Sequence, residues 1–232
     1  MEKLLYVVWK PDEIPIERFR ERLLGAVAQT VIDLGAHGLA VSLADERALP
    51  GLRITQMRQP LSGVVSMWLD TALNRGPIEA VLAGATARIA GYLAVESVPL
   101  VNTTQSSPPG ERLPGLYTVA FLERPGALTY EQWLQRWQEQ HTPVAIATQS
   151  TFLYIQNVVV RPLTADAPPW VAIVEEAFPA AAATDPMVFY NAGGSPETLK
   201  AHQRLMMESC QRFIDFSRFE THPMSSYLVQ RQ

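Results

Sequence analysis

Apolar positions along this chain follow two rhythms, one alternating and one helical, and their order in the first half returns in the second. Residues 4–9 form a short strand-like run that Pro11 breaks. Residues 16–34 have helical spacing, with Phe19, Leu23, Val27 and Val31 on one stripe. Strands are predicted over 38–43 and 62–69. A second helix is predicted over 78–93, opened by Gly76-Pro77, because proline suits the first helical position. Residues 98–101 read as a closing fourth strand.

The second half repeats that order after a turn-rich stretch at 105–110. A strand over 116–122 and a turn at Arg124-Pro125-Gly126 lead into a helix. Thr129 and Gln132 form a capping-box pattern at its start, each side chain placed to satisfy a free backbone amide. Trp133, Trp137 and His141 recur every fourth residue and so share one side of that helix. Pro143 makes continuation costly, which places His141 near the expected helix end. Strands follow over 154–160 and 170–178, with a loop over 164–169 between them. Residues 180–194 are mostly irregular. Ser195-Pro196-Glu197 caps a helix expected to run to about residue 216, and 225–229 is the last strand.

Each half therefore reads βαββαβ. That order predicts an α+β chain of two tandem ferredoxin-like domains, residues 1–105 and 116–232, joined by a linker over 106–115. Each antiparallel sheet would carry its helices on one face and bury its open face against the other, making an intramolecular α+β barrel. The barrel itself would need no second copy of the chain, although further homo-oligomers remain open. With Phe19 aligned to Trp133, Val27 stands opposite His141. With Trp68-Leu69 aligned to Ala177-Phe178, Ser66 stands opposite Glu175. On this reading the first half lacks both polar candidates and mainly supplies sheet and cover.

Composition narrows the classes. The 232 residues are 47% hydrophobic and 18% charged, enough apolar material for a sizeable core. A formal net charge of −4 gives no footprint for nucleic acid or an anionic membrane. No apolar run is long enough to span a bilayer, and the N-terminal run is too short for a signal peptide and lacks a cleavage site. The single cysteine, Cys210, cannot form an internal disulfide, so a reducing, cytoplasmic compartment is the expectation. No two histidines stand at the helical metal-site spacing, and no Gly-x-Gly-x-x-Gly or P-loop pattern occurs. Neither a metal nor a cofactor is expected.

Arg124-Pro125-Gly126-Ala127-Leu128-Thr129, then Trp133, Trp137 and His141-Thr142-Pro143-Val144, resemble the signature of the EthD domain, a family named for ethyl tert-butyl ether degradation. Tyr154 and Asn157 match the family's Y-x-x-N element. Glu175 and Phe178 match its A-E-x-x-F strand, with valine before the glutamate. The likeness covers residues 116–229; the first half resembles the family only in architecture. It implies a dimeric α+β barrel with a mostly apolar pocket. Relatives of that fold include metal-free monooxygenases, polyketide cyclases, dehydratases and haem-binding enzymes, so fold alone fixes no reaction.

His141 and Glu175 are the candidate catalytic pair. A histidine's ordinary pKa of about 6.5 suits proton transfer near neutrality, and Glu175 would orient it. The competing reading is a core histidine bonded to a backbone carbonyl or to Glu175, at a favourable helix end. Glu175 shares a strand face with Val171, Ile173 and Ala177, whereas Glu176 points the other way; the motif match favours Glu175 for the pocket. Trp137, Tyr154, Asn157, His222 and Tyr227 are candidate ligand contacts, with His222 at a pocket rim. His202 and His37 read as a packed or solvent-edged residue and an exposed one.

The expected ligand is a small apolar or aromatic molecule, with acid–base dehydration, cyclisation or oxygenation as the reaction if the chain is an enzyme. One alternative is a non-catalytic binding or accessory protein for an oxidoreductase system. A second is haem binding through a pocket histidine.

Overall fold

The computed structural model describes residues 1–231. Eight strands of the single chain close an antiparallel barrel. They are β1 (Glu2–Trp9), β2 (Gly38–Leu43), β3 (Gly63–Leu69), β4 (Arg88–Leu100), β5 (Leu116–Leu122), β6 (Leu153–Pro162), β7 (Ala172–Phe178) and β8 (Glu220–Gln230). Around the barrel the order is β1-β3-β2-β8-β5-β7-β6-β4. Each half therefore has the same internal order, β4-β1-β3-β2 and β8-β5-β7-β6, and the halves are joined by β2–β8 and β4–β6 pairing.

Alternation along the strands sorts most buried apolar side chains into three main cores, with a smaller fourth around Leu116, Phe178 and Ala182. Leu5, Val7, Trp9, Tyr92, Phe121 and Ile173 point into the barrel. Leu4, Tyr6, Val8 and Met67 point outward beneath α1 (16–33) and α2 (Gly76–Ala85). Ala172 and Val174 point outward beneath α3 (130–148), where they meet Trp133 and Trp137.

Phe19, Leu23, Val27 and Val31 are all buried on α1, as their spacing predicts. The capping box at Thr129 and Gln132 is formed. Pro143, however, does not end the tryptophan helix. A π-helical stretch over Gln135–His141 precedes a further α-helical segment, Thr142–Thr148, and Pro143 falls in that segment's first turn. Proline is tolerated there because first-turn amides lack an intrahelical partner. His141 accordingly lies inside a continuous helical rod rather than at its end.

The expected helix over 78–93 is also shorter. It ends at Ala85, and β4 begins at Arg88. The alanine-rich stretch suits a helix, but Ala90, Tyr92 and Ala94 alternate into the barrel while Ile89 and Leu93 face outward. The barrel needs that strand to bridge β1 and β6. Tertiary pairing here overrides local propensity. Helix α4 is Pro186–Phe189, and α5 (Pro196–Cys210), capped by Ser195, stops before the expected 216.

Candidate functional site

The β1 face that carries Leu5, Val7 and Trp9 into the barrel also carries Lys3, which is 4% exposed. Its ammonium donates to Glu175 Oε1 at 3.2 Å and to Glu96. Glu175 sits on the inward face of β7 with Ile173 and Ala177. Its Oε2 accepts from Tyr117 Oη at 2.5 Å, and its Oε1 also accepts from Asn157 Nδ2 at 2.9 Å. Four strands, β1, β5, β6 and β7, thus converge on one carboxylate.

Burial alone would push the Glu175 carboxyl up. The Lys3 charge and the hydrogen bonds from Tyr117, Asn157 and Lys3 outweigh that and hold it below the usual carboxylate range. Burial, then the Glu175 charge and hydrogen bond, push the Tyr117 phenol well above its ordinary value. Near neutrality the pair is therefore a fixed phenol donor on an ionised acceptor.

This network forms the floor of a cavity of about 390 Å³ at one mouth of the barrel. Trp68, Leu153, Ile155 and Leu228 give it apolar wall, and Ser66 and Ser226 add hydroxyls. The Lys3 ammonium lies 4.9 Å from the centre of a Trp68 ring. The segment between β4 and β5 does more than connect the halves. Asn102, Gln105 and Leu113 line the cavity, and Gly110 and Leu113 donate backbone hydrogen bonds to β8.

The structure does not bring His141 and Glu175 together. Val174 packs beneath the helices while Ile173 and Ala177 enter the barrel, so Glu175 is inward and its neighbour Glu176 outward. His141 lies in the outer layer, its Nδ1 3.0 Å from Ser209 Oγ and its ring 4.6 Å from Phe213. Burial lowers its pKa to about 4. Two elements of the sequence expectation therefore change: Glu175 does not orient His141, and His141 is not a partial cation at a helix end. The wall of the sheet separates them.

Trp137 and Tyr154 also belong to the outer layer, where Trp137 Nε1 donates to Tyr154 Oη at 3.2 Å. Tyr227 faces the first-half helices and donates to Asp45 Oδ2 at 3.3 Å. None of these three lines the barrel-mouth cavity. Asn157 reaches it only through Glu175. His222, expected at a rim, is fully enclosed within β8, with its Nε2 3.0 Å from Glu220 Oε2 and its Nδ1 unpartnered. His202 donates from Nδ1 to the Tyr190 carbonyl at 2.6 Å, and His37, exposed, meets Asp70. None of the four histidines lines the cavity, so the residues there do not fit a histidine-ligated haem.

The residues missed from sequence are Lys3, Glu96, Trp68, Tyr117 and Ser226. The first half consequently supplies charge to the site as well as cover. A signal for two of them lay in the repeat. Leu5 pairs with Ser66 and Val119 with Glu175, so matching Ser66 to Glu175 also matches Lys3 to Tyr117.

Among the described residues, no group of three or more His, Cys, Asp or Glu side chains is placed to hold a metal ion, and no helix is long and apolar enough to cross a membrane. No curated protein matches the chain by sequence. Its fold is similar to that of an anthrone oxidase-like protein, with a TM-score of 0.56 at 8% identity, covering 99% of this chain and 94% of that one. A mutant chlorite dismutase from Candidatus Nitrospira defluvii gives 0.52 at 11% identity, with 97% and 90% covered. A dye-decolorizing peroxidase from Bacteroides thetaiotaomicron gives 0.51 at 8%, with 97% and 93% covered. At such identities the likeness is one of fold. Sequence adds a family likeness for the second half: residues 125–217 match the model of the EthD domain, within the stretch where the resemblance was read.

Proposed function

We propose that this protein binds a small, largely apolar or aromatic molecule in the barrel-mouth cavity, with Glu175, Tyr117 and Lys3 meeting its polar end. The observation that carries the reading is the convergence of a buried, ionised carboxylate and its donors on a cavity walled by Trp68 and aliphatic side chains. The EthD match and the fold likenesses support a barrel protein of small-molecule or oxidative chemistry without naming a reaction. Within the same proposal, the repeated strand order reflects a tandem duplication of ferredoxin-like halves, 1–105 and 116–232, in which Lys3 and Tyr117 occupy matching positions.

Of the sequence-derived candidates, Glu175 is the one that lines this cavity, and Asn157 acts by holding its carboxylate. His141 has a packing role in this reading. Isothermal titration of the full chain with naphthol, a compact aromatic probe, tests the proposal. Wild type should bind one equivalent, and Ala40→Phe, which adds a ring to the cavity wall, should abolish binding while the fold is retained by circular dichroism. Equal binding to a folded Ala40→Phe variant places the ligand elsewhere and overturns the reading.

A further inference from the structure

The donors and acceptors on the cavity floor are unequally available, and, given the binding function proposed above, this restricts the ligand's polar end. The buried charged groups there are one cation, Lys3, and one anion, Glu175, while Glu96, half-buried and outside the cavity lining, takes the other side of Lys3. Lys3 is engaged by both carboxylates. The Tyr117 hydroxyl proton is directed to Glu175, and the Asn157 amide is divided between Glu175 and the Ile173 carbonyl. Ser42 donates to Ser226 at 3.3 Å, and both hydroxyls lie beside the Tyr117 oxygen.

Acceptor capacity is what remains. An ionised carboxylate has about four lone-pair sites, and the Glu175 oxygens are met by three donors. The phenol oxygen also accepts after donating its proton, with the Ser42 and Ser226 hydroxyls competing for it, so the main acceptor left to a ligand is Glu175. Arg231, the other cation lining the cavity, is exposed to solvent rather than buried. A ligand carboxylate at the floor would face Glu175 without an unengaged buried cation, and like charges set together in a partly desolvated site repel strongly. A ligand that only accepts would leave the acceptors unanswered.

We infer that the cavity selects molecules presenting a hydrogen-bond donor, a hydroxyl or an amine, to Glu175 and Tyr117, over carboxylates and over donor-free analogues of the same shape. Selection of this kind is a difference between affinities, achieved as much by repelling the anion as by binding the donor.

Three matched probes, naphthol, its methyl ether and naphthoate, test this by isothermal titration of the wild-type chain at neutral pH. Naphthol should bind at least about tenfold more tightly than either of the others, the loss expected when buried polar groups go unpaired. Glu175→Gln removes the charge and should bring naphthol and naphthoate to within about threefold of each other. Methyl ether or naphthoate binding as tightly as naphthol to wild type overturns the donor inference while leaving cavity binding intact. An undiminished preference in folded Glu175→Gln overturns the charge argument. Absence of binding by all three probes overturns the cavity function itself.

Discussion

Replacing Lys3 with methionine removes the only buried cation that Glu175 contacts, while keeping most of the side chain's apolar length. The two residues are 4% and 5% exposed, so solvent screens the pair weakly. At 3.2 Å and an effective dielectric of about 20, their attraction is on the order of 5 kcal/mol, much of it offset by the cost of burying both charges. Removing one partner of such a pair strands the other and costs about 3–5 kcal/mol. In a chain of 232 residues that lowers Tm by on the order of 10 °C.

The pH dependence is set by the same contact. Glu175 is held below the usual carboxylate range in the folded state. It therefore contributes stability above the ordinary glutamate pKa of about 4.3, and that stability is lost as pH falls through the lower folded value. Without Lys3 the Glu175 pKa rises and the variant protonates it at higher pH. The gap between Lys3→Met and wild type should consequently be widest near neutrality and narrow toward pH 4. Denaturant unfolding of wild type, both single variants and Lys3→Met/Glu175→Gln completes a double-mutant cycle. The double variant should recover at least half of the Lys3→Met loss. A Lys3→Met cost below about 1 kcal/mol, or no recovery in the double variant, refutes the reasoning.

Three further predictions concern the surrounding layers. His141 has its pKa lowered to about 4 by burial, so its neutral form stabilises the fold above pH of about 6.5 and that contribution, about 3 kcal/mol, is lost as pH falls toward 4. A proton–nitrogen NMR titration checks it, and an imidazolium already formed at pH 6 counts against it. Glu176, with Oε1 enclosed and unpartnered, has its pKa raised to about 7 by burial. Its contribution is present below the ordinary carboxylate pKa and lost as pH rises through 7, so Glu176→Gln should raise Tm at pH 8 far more than at pH 5; equal shifts at both contradict it. Gly115 has φ +107°, and a Cβ there would lie 2.3 Å from the Phe178 carbonyl oxygen. Gly115→Ala should cost more than about 1 kcal/mol by chemical denaturation, and a neutral effect would refute the strain.

The architecture was largely legible from sequence because element order and apolar rhythm are local signals. The Phe19–Val31 stripe, the Thr129 cap and the repeated βαββαβ order all survive in the structure. Errors arose where tertiary pairing outweighed local preference. Residues 88–93 became strand because the barrel closes through them, and Pro143 was accommodated by the π-helical stretch before it.

Of the residues lining the proposed site, Glu175 was the one already a candidate from sequence, and its motif companion lies elsewhere. His141 and Glu175 share a family signature but sit on opposite faces of a sheet, a relation that motif spacing does not encode. Lys3 was hidden for the converse reason. It lies at the start of an apolar strand, 172 positions from its partner, and only closure of the barrel sets the two side by side. Alternation did carry a trace, since Lys3 shares its strand face with Leu5, Val7 and Trp9.

The chamber proposed to bind the ligand is the barrel mouth above Glu175, not the outer layer around His141. A crystal structure of the chain with naphthol bound tests it most directly. The ring should lie against Trp68 and the hydroxyl within hydrogen-bond distance of Glu175 or Tyr117. A ligand lodged between α3 and the sheet beside His141, with the barrel mouth empty, would contradict it.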